Sequence, residues 1–211
     1  MSAKAIGRLA IYRRLLSDLH AEGVHYVYSH ELGHRAGCTA EQVRRDLMTV
    51  GYSGSATRGY DVTSLMEGIA DLLDAPEGQE AALVGVGNLG RAILAYFSGR
   101  RPKLTITAAF DVDADKTARV IHGCRCYPMS ELDGVIQERR IDVGIITVPA
   151  SAAQGVADQL VGAGVRGLLN FAPVNLRVRP YVCVENIDIT VSLEKVAFFA
   201  RQGSLHKEIA K

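Results

Sequence analysis

Three glycines and one aspartate carry the clearest chemistry in this chain. The apolar run Ala81-Ala82-Leu83-Val84 leads straight into Gly85-Val86-Gly87-Asn88-Leu89-Gly90. Gly-x-Gly-x-x-Gly after a strand pattern is the turn that brings backbone amides onto a pyrophosphate. The first glycine permits the tight turn, the second lets the backbone approach the phosphates, and the third allows the following helix to pack on the strand. A helix opening at Asn88 aims its N-terminus at the same charge. A second apolar run, 104–110, ends at Asp111, 21 residues after Gly90. A carboxylate there accepts from ribose hydroxyls and repels a 2′-phosphate, which predicts NADH and NAD rather than their phosphorylated counterparts.

Further α/β units follow. Residues 143–148 read as a buried strand ending in Thr147-Val148-Pro149, 151–164 as an amphipathic helix, and 167–171 as a strand ending in Asn170-Phe171-Ala172-Pro173. In an open parallel sheet, ligands lie beyond the carboxyl ends of the strands, so these two loops are the expected walls for adenosine and nicotinamide. A hydride-transfer enzyme also needs a substrate pocket with an acid–base group. His122 and His206 are the only histidines after residue 78, and neither falls in those loops. No length remains for a separate substrate domain, so no catalytic residue is assigned. Cys38, Cys124, Cys126 and Cys183 contain no Cys-x-x-Cys spacing, which predicts reduced structural thiols and no metal site.

Residues 1–78 read differently. Ile6, Leu9, Ala10, Leu15, Leu16 and Leu19 predict a helix over 5–22, ended by Gly23. Ser29 is the expected cap of a short helix to Ala36, stopped by Gly37. Thr39-Ala40-Glu41-Gln42 reads as a capping box opening a helix over 40–49, with Val43, Leu47 and Val50 inward. Helix, short helix, glycine turn and capped helix is a helix-turn-helix pattern. Thr39, Gln42, Arg44 and Arg45 then lie where a recognition helix meets double-stranded DNA, and Arg suits guanine or phosphate. The Gly- and Ser-rich stretch 51–60 reads as a β-hairpin wing with Arg58 near its tip. A helix over 64–73 and Ala75-Pro76-Glu77-Gly78 lead to the second part.

Composition supports this division. Residues 1–60 hold eight Lys and Arg against five Asp and Glu, while the 211-residue chain carries only +1, so the N-terminal part is locally basic. No apolar run reaches membrane-helix length, and no signal-peptide pattern opens the chain, which predicts a cytoplasmic protein with no membrane partner. The expected fold class is α/β. Residues 1–78 would form a winged helix-turn-helix DNA-binding domain and 79–189 a Rossmann domain. Residues 190–211 would form a helix too apolar for a free end, docked on a partner subunit.

Taken together, several segments resemble the Rex redox-sensing transcriptional repressors over almost the whole chain. They are Gln42-Val43-Arg44-Arg45-Asp46-Leu47, Thr57-Arg58-Gly59-Tyr60, the glycine turn, Phe110-Asp111-Val112-Asp113, Thr147-Val148-Pro149, Asn170-Phe171-Ala172-Pro173-Val174 and Val184-Glu185-Asn186-Ile187-Asp188. The resemblance implies a homodimer that binds an inverted-repeat operator and senses the NADH/NAD⁺ ratio. By the same resemblance, the C-terminal helix would be exchanged between subunits, and NADH would close the dimer and release DNA. It places Arg44, Arg45 and Arg58 at DNA. It places Gly85, Gly87, Gly90 and Asp111 at pyrophosphate and ribose, and Tyr96, Ala172 and Pro173 near the nicotinamide. Arg14 and Asp188 match a pair that couples the first helix to the dimer core. Three departures stand out. Met48-Thr49-Val50-Gly51 replaces the usual Ser-Tyr-Phe-Gly, Ala56 stands where the family has Arg, and Ile189 stands where an aromatic residue often abuts the nicotinamide.

Two other functions share these features. An NAD-dependent oxidoreductase with an N-terminal oligomerisation domain would require turnover. A CoA-binding module would explain the Thr147-Val148-Pro149 loop, but Asp111 suits a ribose diol and CoA carries a 3′-phosphate.

Overall fold

Helix α1 (Ala3–Ala21) forms because Leu9, Tyr12, Leu16 and Leu19 recur on one face and bury it, while Ser2 Oγ caps the first turn by accepting from Ala5 N at 3.2 Å. The structure is a computed structural model that describes residues 1–55, 57–100 and 103–209, with side chains described through Gln202. The chain divides into two compact units, the first Met1–Gly78 and the second beginning at Gln79.

In the first unit, α1 is followed by β1 (Tyr26–Val27), α2 (Ser29–Ala36), α3 (Ala40–Thr49), β2 (Tyr60–Asp61) and α4 (Val62–Leu73). The two short strands pair antiparallel. Leu9, Leu16, Leu32, Val43, Leu47, Val62, Leu65 and Ile69 meet in one core with none of their surface exposed. Each such side chain stabilises the unit by about 1.5–3 kcal/mol relative to exposure. Gly33 explains the sharp α2–α3 turn, since a Cβ there would stand 2.8 Å from Cys38 O.

Two local expectations need correction. Ser29 is the first residue of α2 and not its cap; Glu31 Oε2 accepts from Tyr28 N at 2.9 Å instead. Thr39 Oγ1 does accept from Gln42 N at 3.2 Å, but the Gln42 side chain does not reach back, because Asp46 holds it. The wing is a short hairpin with an antiparallel bridge between Ser55 and Gly59. It is a tight turn closed by two 2.8 Å bonds between the Ser55 and Gly59 backbones, tied to α2 by Tyr28 OH donating to Thr57 O. Ala56 lies outside the described residues.

The second unit runs β3 (Gln79–Val84), α5 (Asn88–Phe97), β4 (Leu104–Asp111), β5 (Val120–Ile121), β6 (Cys124–Pro128), α6 (Leu132–Arg139), β7 (Val143–Ile146), α7 (Ala150–Ala163), β8 (Gly167–Asn170), β9 (Cys183–Asn186) and α8 (Ile189–Ile209). The sheet order is β5-β6-β4-β3-β7-β8-β9, parallel except for β5 against β6. Val84, Phe110 and Ile146 pack under α6 and α7 on one face, and Leu83, Ala109 and Ile145 pack under α5 on the other. β3 is thus covered on both sides, which explains its unbroken apolar run. The chain moves outward from β3 to β4 on one side and to β7 on the other, so the crevice at their carboxyl ends is a topological switch point.

α8 begins one residue before the expected 190 and opens on Asp188, whose Oδ1 accepts from Val191 N at 3.0 Å. Every side chain from Ile189 to Gln202 is exposed. No helix among the described residues is long and apolar enough to cross a membrane.

Candidate functional site

β3 ends at Val84, and the chain turns through Gly85 into α5. Gly85 has φ +98°, and a Cβ there would lie 2.8 Å from Thr147 O. A Cβ on Gly90 would run into Gly85 O. Both glycines are therefore required by packing. Gly87 differs, because nothing lies within 4 Å of where its Cβ would stand. The turn is clear above the start of α5, where Asn88 and Leu89 begin the helix and leave N–H groups for an anion.

Asp111 closes the turn from the neighbouring strand. It is 6% exposed, and its Oδ2 accepts from Val86 N at 2.7 Å and from Lys116 Nζ at 3.1 Å, while Oδ1 accepts from Asp113 N at 2.9 Å. Burial opposes its ionisation. The Asp113 and Val86 N–H groups and the Lys116 ammonium outweigh burial and hold the carboxyl below its usual range. It is a charged acceptor with capacity left for a hydroxyl donor. Lys116 was not singled out from sequence. Its sequence signal is only a lysine five residues after Asp111; in the structure its Nζ also lies 3.4 Å from Asp113 Oδ2.

A cavity of about 300 Å³ opens beside this turn. Of the residues expected from sequence, Gly85, Gly87, Asp111, Thr147, Val148 and Pro149 line it, joined by Val84, Val112, Lys116, Met129, Ala152 and Val156. The carboxylate and ammonium thus border apolar walls suited to an aromatic base. The Thr147 hydroxyl lies 2.7 Å from Gly85 O and 3.0 Å from Val84 O, locking the β7 loop to the glycine turn.

Other expected residues lie outside this cavity. Asn170, expected at the cofactor, is fully buried at the end of β8. Its Nδ2 donates to Ala172 O, Val174 O and Asn186 Oδ1, and its Oδ1 accepts from Ala172 N, so it shapes the turn after β8. Ala172 is buried and Pro173 exposed on that turn. Tyr96 is 59% exposed on α5, with the Arg100 guanidinium 4.4 Å from its ring centre. Cys124 and Cys126 are buried on one face of β6, and burial pushes the Cys124 thiol up to about 11. No cluster of His, Cys, Asp or Glu among the described residues could hold a metal ion.

The first unit presents a second candidate surface. Val43, Asp46 and Leu47 face inward, which turns Arg45 to solvent. Arg44 is tethered sideways, with Nη1 donating to Ser29 Oγ at 3.0 Å and Nη2 to Glu41 Oε1 at 3.2 Å. Arg58 is exposed in the turn beside Gly59. Underneath, Asp46 accepts from Arg8 Nε at 2.6 Å, Arg8 Nη2 at 2.8 Å, Tyr12 OH at 3.0 Å and Gln42 Nε2 at 3.0 Å. This network, unseen in the sequence pattern, fixes α3 on α1. Gln42, expected at DNA, has half of its amide committed to it. Arg14 is exposed on α1, and Asp188 caps α8.

A helix-turn-helix unit followed by a switch-point crevice of dinucleotide type defines a ligand-responsive DNA-binding regulator. Residues 77–174 match the family described as "CoA binding domain", and residues 1–47 match "Putative DNA-binding protein N-terminus". The redox-sensing transcriptional repressor Rex of Syntrophobacter fumaroxidans is 41% identical, covering 93% of this chain and 94% of that one. Rex of Clostridium beijerinckii is 40% identical, covering 96% of each. The crystal structure of RSP in complex with β-NAD⁺ and operator DNA matches with a TM-score of 0.87 at 31% identity, over 99% of this chain and 96% of that one. RSP has also been solved with β-NADH, matching with a TM-score of 0.86 at 31% identity over 99% of this chain and 98% of that one. The chain belongs to the Rex family of redox-sensing transcriptional repressors, which are regulators and not enzymes.

Proposed function

We propose that this chain is a cytoplasmic, homodimeric repressor that holds an inverted-repeat operator and is released from it by NADH. Residues 1–78 are its DNA-binding domain, 79–189 its NAD(H)-binding domain, and 190–211 its dimerisation helix. The observation that carries the reading is the clear glycine turn braced by the charged Asp111. Gly87 and the amides opening α5 hold the pyrophosphate. Asp111 takes the adenosine ribose, and Val112, Met129 and Val148 flank the adenine. When bound, the dinucleotide supplies a ring that is neutral in NADH and cationic in NAD⁺. An apolar contact from Ile189 of the other protomer favours the neutral ring, since burying the cation costs more.

Release follows from linkage. NADH must bind the DNA-incompetent arrangement better than the DNA-competent one. Passing from nearly all bound to nearly all free takes about 5.5 kcal/mol of differential affinity, which two sites per dimer share. The test is fluorescence anisotropy of labelled DNA from upstream of this protein's own gene, titrated with protein and then with NADH or NAD⁺. Tight binding reversed by NADH and much less by NAD⁺ is the expected result. Binding that ignores both dinucleotides would refute the sensor reading. CoA as the effective releasing ligand would favour the CoA-module function instead.

A further inference from the structure

One apolar side chain on α3 is left largely in solvent. Met48 is 69% exposed, the most exposed large apolar residue among those described in the first unit. Val43, Asp46 and Leu47 face the core, so helical spacing puts Glu41, Arg45 and Met48 on the opposite face. Arg45 and Met48 are three residues apart, about 4.5 Å along the helix axis. That is close to one base-pair step of about 3.4 Å. Their contacts would therefore fall on neighbouring base pairs.

The major-groove edges of the bases offer hydrogen-bonding groups and a single apolar one, the thymine C5-methyl. A flexible, polarisable thioether on the outward face of α3 matches that group and none of the others. We propose that Met48 is a specificity-determining residue that reads a thymine methyl next to the base pair contacted by Arg45. The inference rests on the reading of α3 as the helix that enters the groove. It is particular to this chain, because Met48 stands where the family pattern has Ser.

The test begins by selecting an operator from a random-sequence duplex pool with the full-length protein. Each thymine is then replaced by deoxyuridine, which deletes only the C5-methyl, and affinity is measured by anisotropy. At one position the wild type should bind deoxyuridine about fourfold more weakly per half-site, the value of one buried methyl. Both half-sites together should cost about fifteenfold if the contacts add. Met48→Ser should bind thymine and deoxyuridine alike at that position, and Met48→Leu should keep most of the discrimination. Both variants should melt as the wild type does, because the position is exposed. Wild-type protein insensitive at every thymine, or a deoxyuridine profile shared with Met48→Ser, overturns the Met48 assignment and leaves the repressor reading standing. A pool that yields no operator overturns both.

Discussion

At the scale of single residues, two buried carboxylates organise the two candidate surfaces. Asp111 joins the glycine turn to β4 through Val86 N and carries the charge a ribose diol would meet. Asp111→Ala should weaken NADH binding at least tenfold in a fluorescence titration while operator affinity stays near wild type. Unchanged NADH affinity would remove Asp111 from the cofactor site. Asp46 does the corresponding work for α3. The Arg8 guanidinium beside it holds its carboxyl below the usual range despite burial. A depressed carboxylate stabilises the fold above its unfolded pKa of about 3.9 and loses that contribution as pH falls through the lower folded value. The Asp46 contribution should thus be constant from neutrality to about pH 5 and decay below about pH 4. Asp46→Asn should cost about 2–3 kcal/mol in denaturant unfolding at pH 7, since water reaches Arg8 in part, and should flatten the acid limb. Equal stability of variant and wild type at pH 7 would mean that the network is ornamental.

At the scale of elements, α8 poses the plainest physical problem. Ile189, Leu193 and Val196 form one apolar stripe and Val191 and Phe198 another on the far side, all exposed in a single chain. A helix apolar on two faces needs cover on both. A second copy of the chain provides it in the proposed dimer. Leu193→Glu combined with Phe198→Glu should convert the dimer to monomer in sedimentation velocity at micromolar concentration. A persistent dimer would place the interface elsewhere. α3 was more legible than α8 because its cap, its inward face and its bounds are local features. Thr39, Val43 and Leu47 sit where the spacing requires, and the helix spans the expected 40–49.

At the scale of the whole molecule, function is the coupling of two sites, and DNA binding should carry the mark of its charges. Arg44 is held against Ser29, and in the proposed complex it meets a phosphate while Arg45 meets a base edge. Neutralising one phosphate contact in each half of a dimer should flatten the slope of log K against log salt by about 1.8. Arg44→Ser should do this with NADH affinity unchanged. Arg45→Ala should mainly lower affinity for the operator relative to random DNA. A salt slope identical to wild type would withdraw Arg44 from the interface. Much of this could be read from the chain alone, because a strand running into Gly85-x-Gly87-x-x-Gly90 or a Thr39 cap before an amphipathic run is dictated by backbone sterics within a few residues. The family likeness was legible for the same reason, in short segments of fixed residue type. The tertiary structure decided what depends on residues far apart in sequence. Lys116 became a partner of Asp111, Arg8 and Tyr12 became the anchors of Asp46, and Asn170 turned inward to hold its own loop. Periodicity reports which face of an element is buried, but the partner of a buried charge is set only when separate elements pack together.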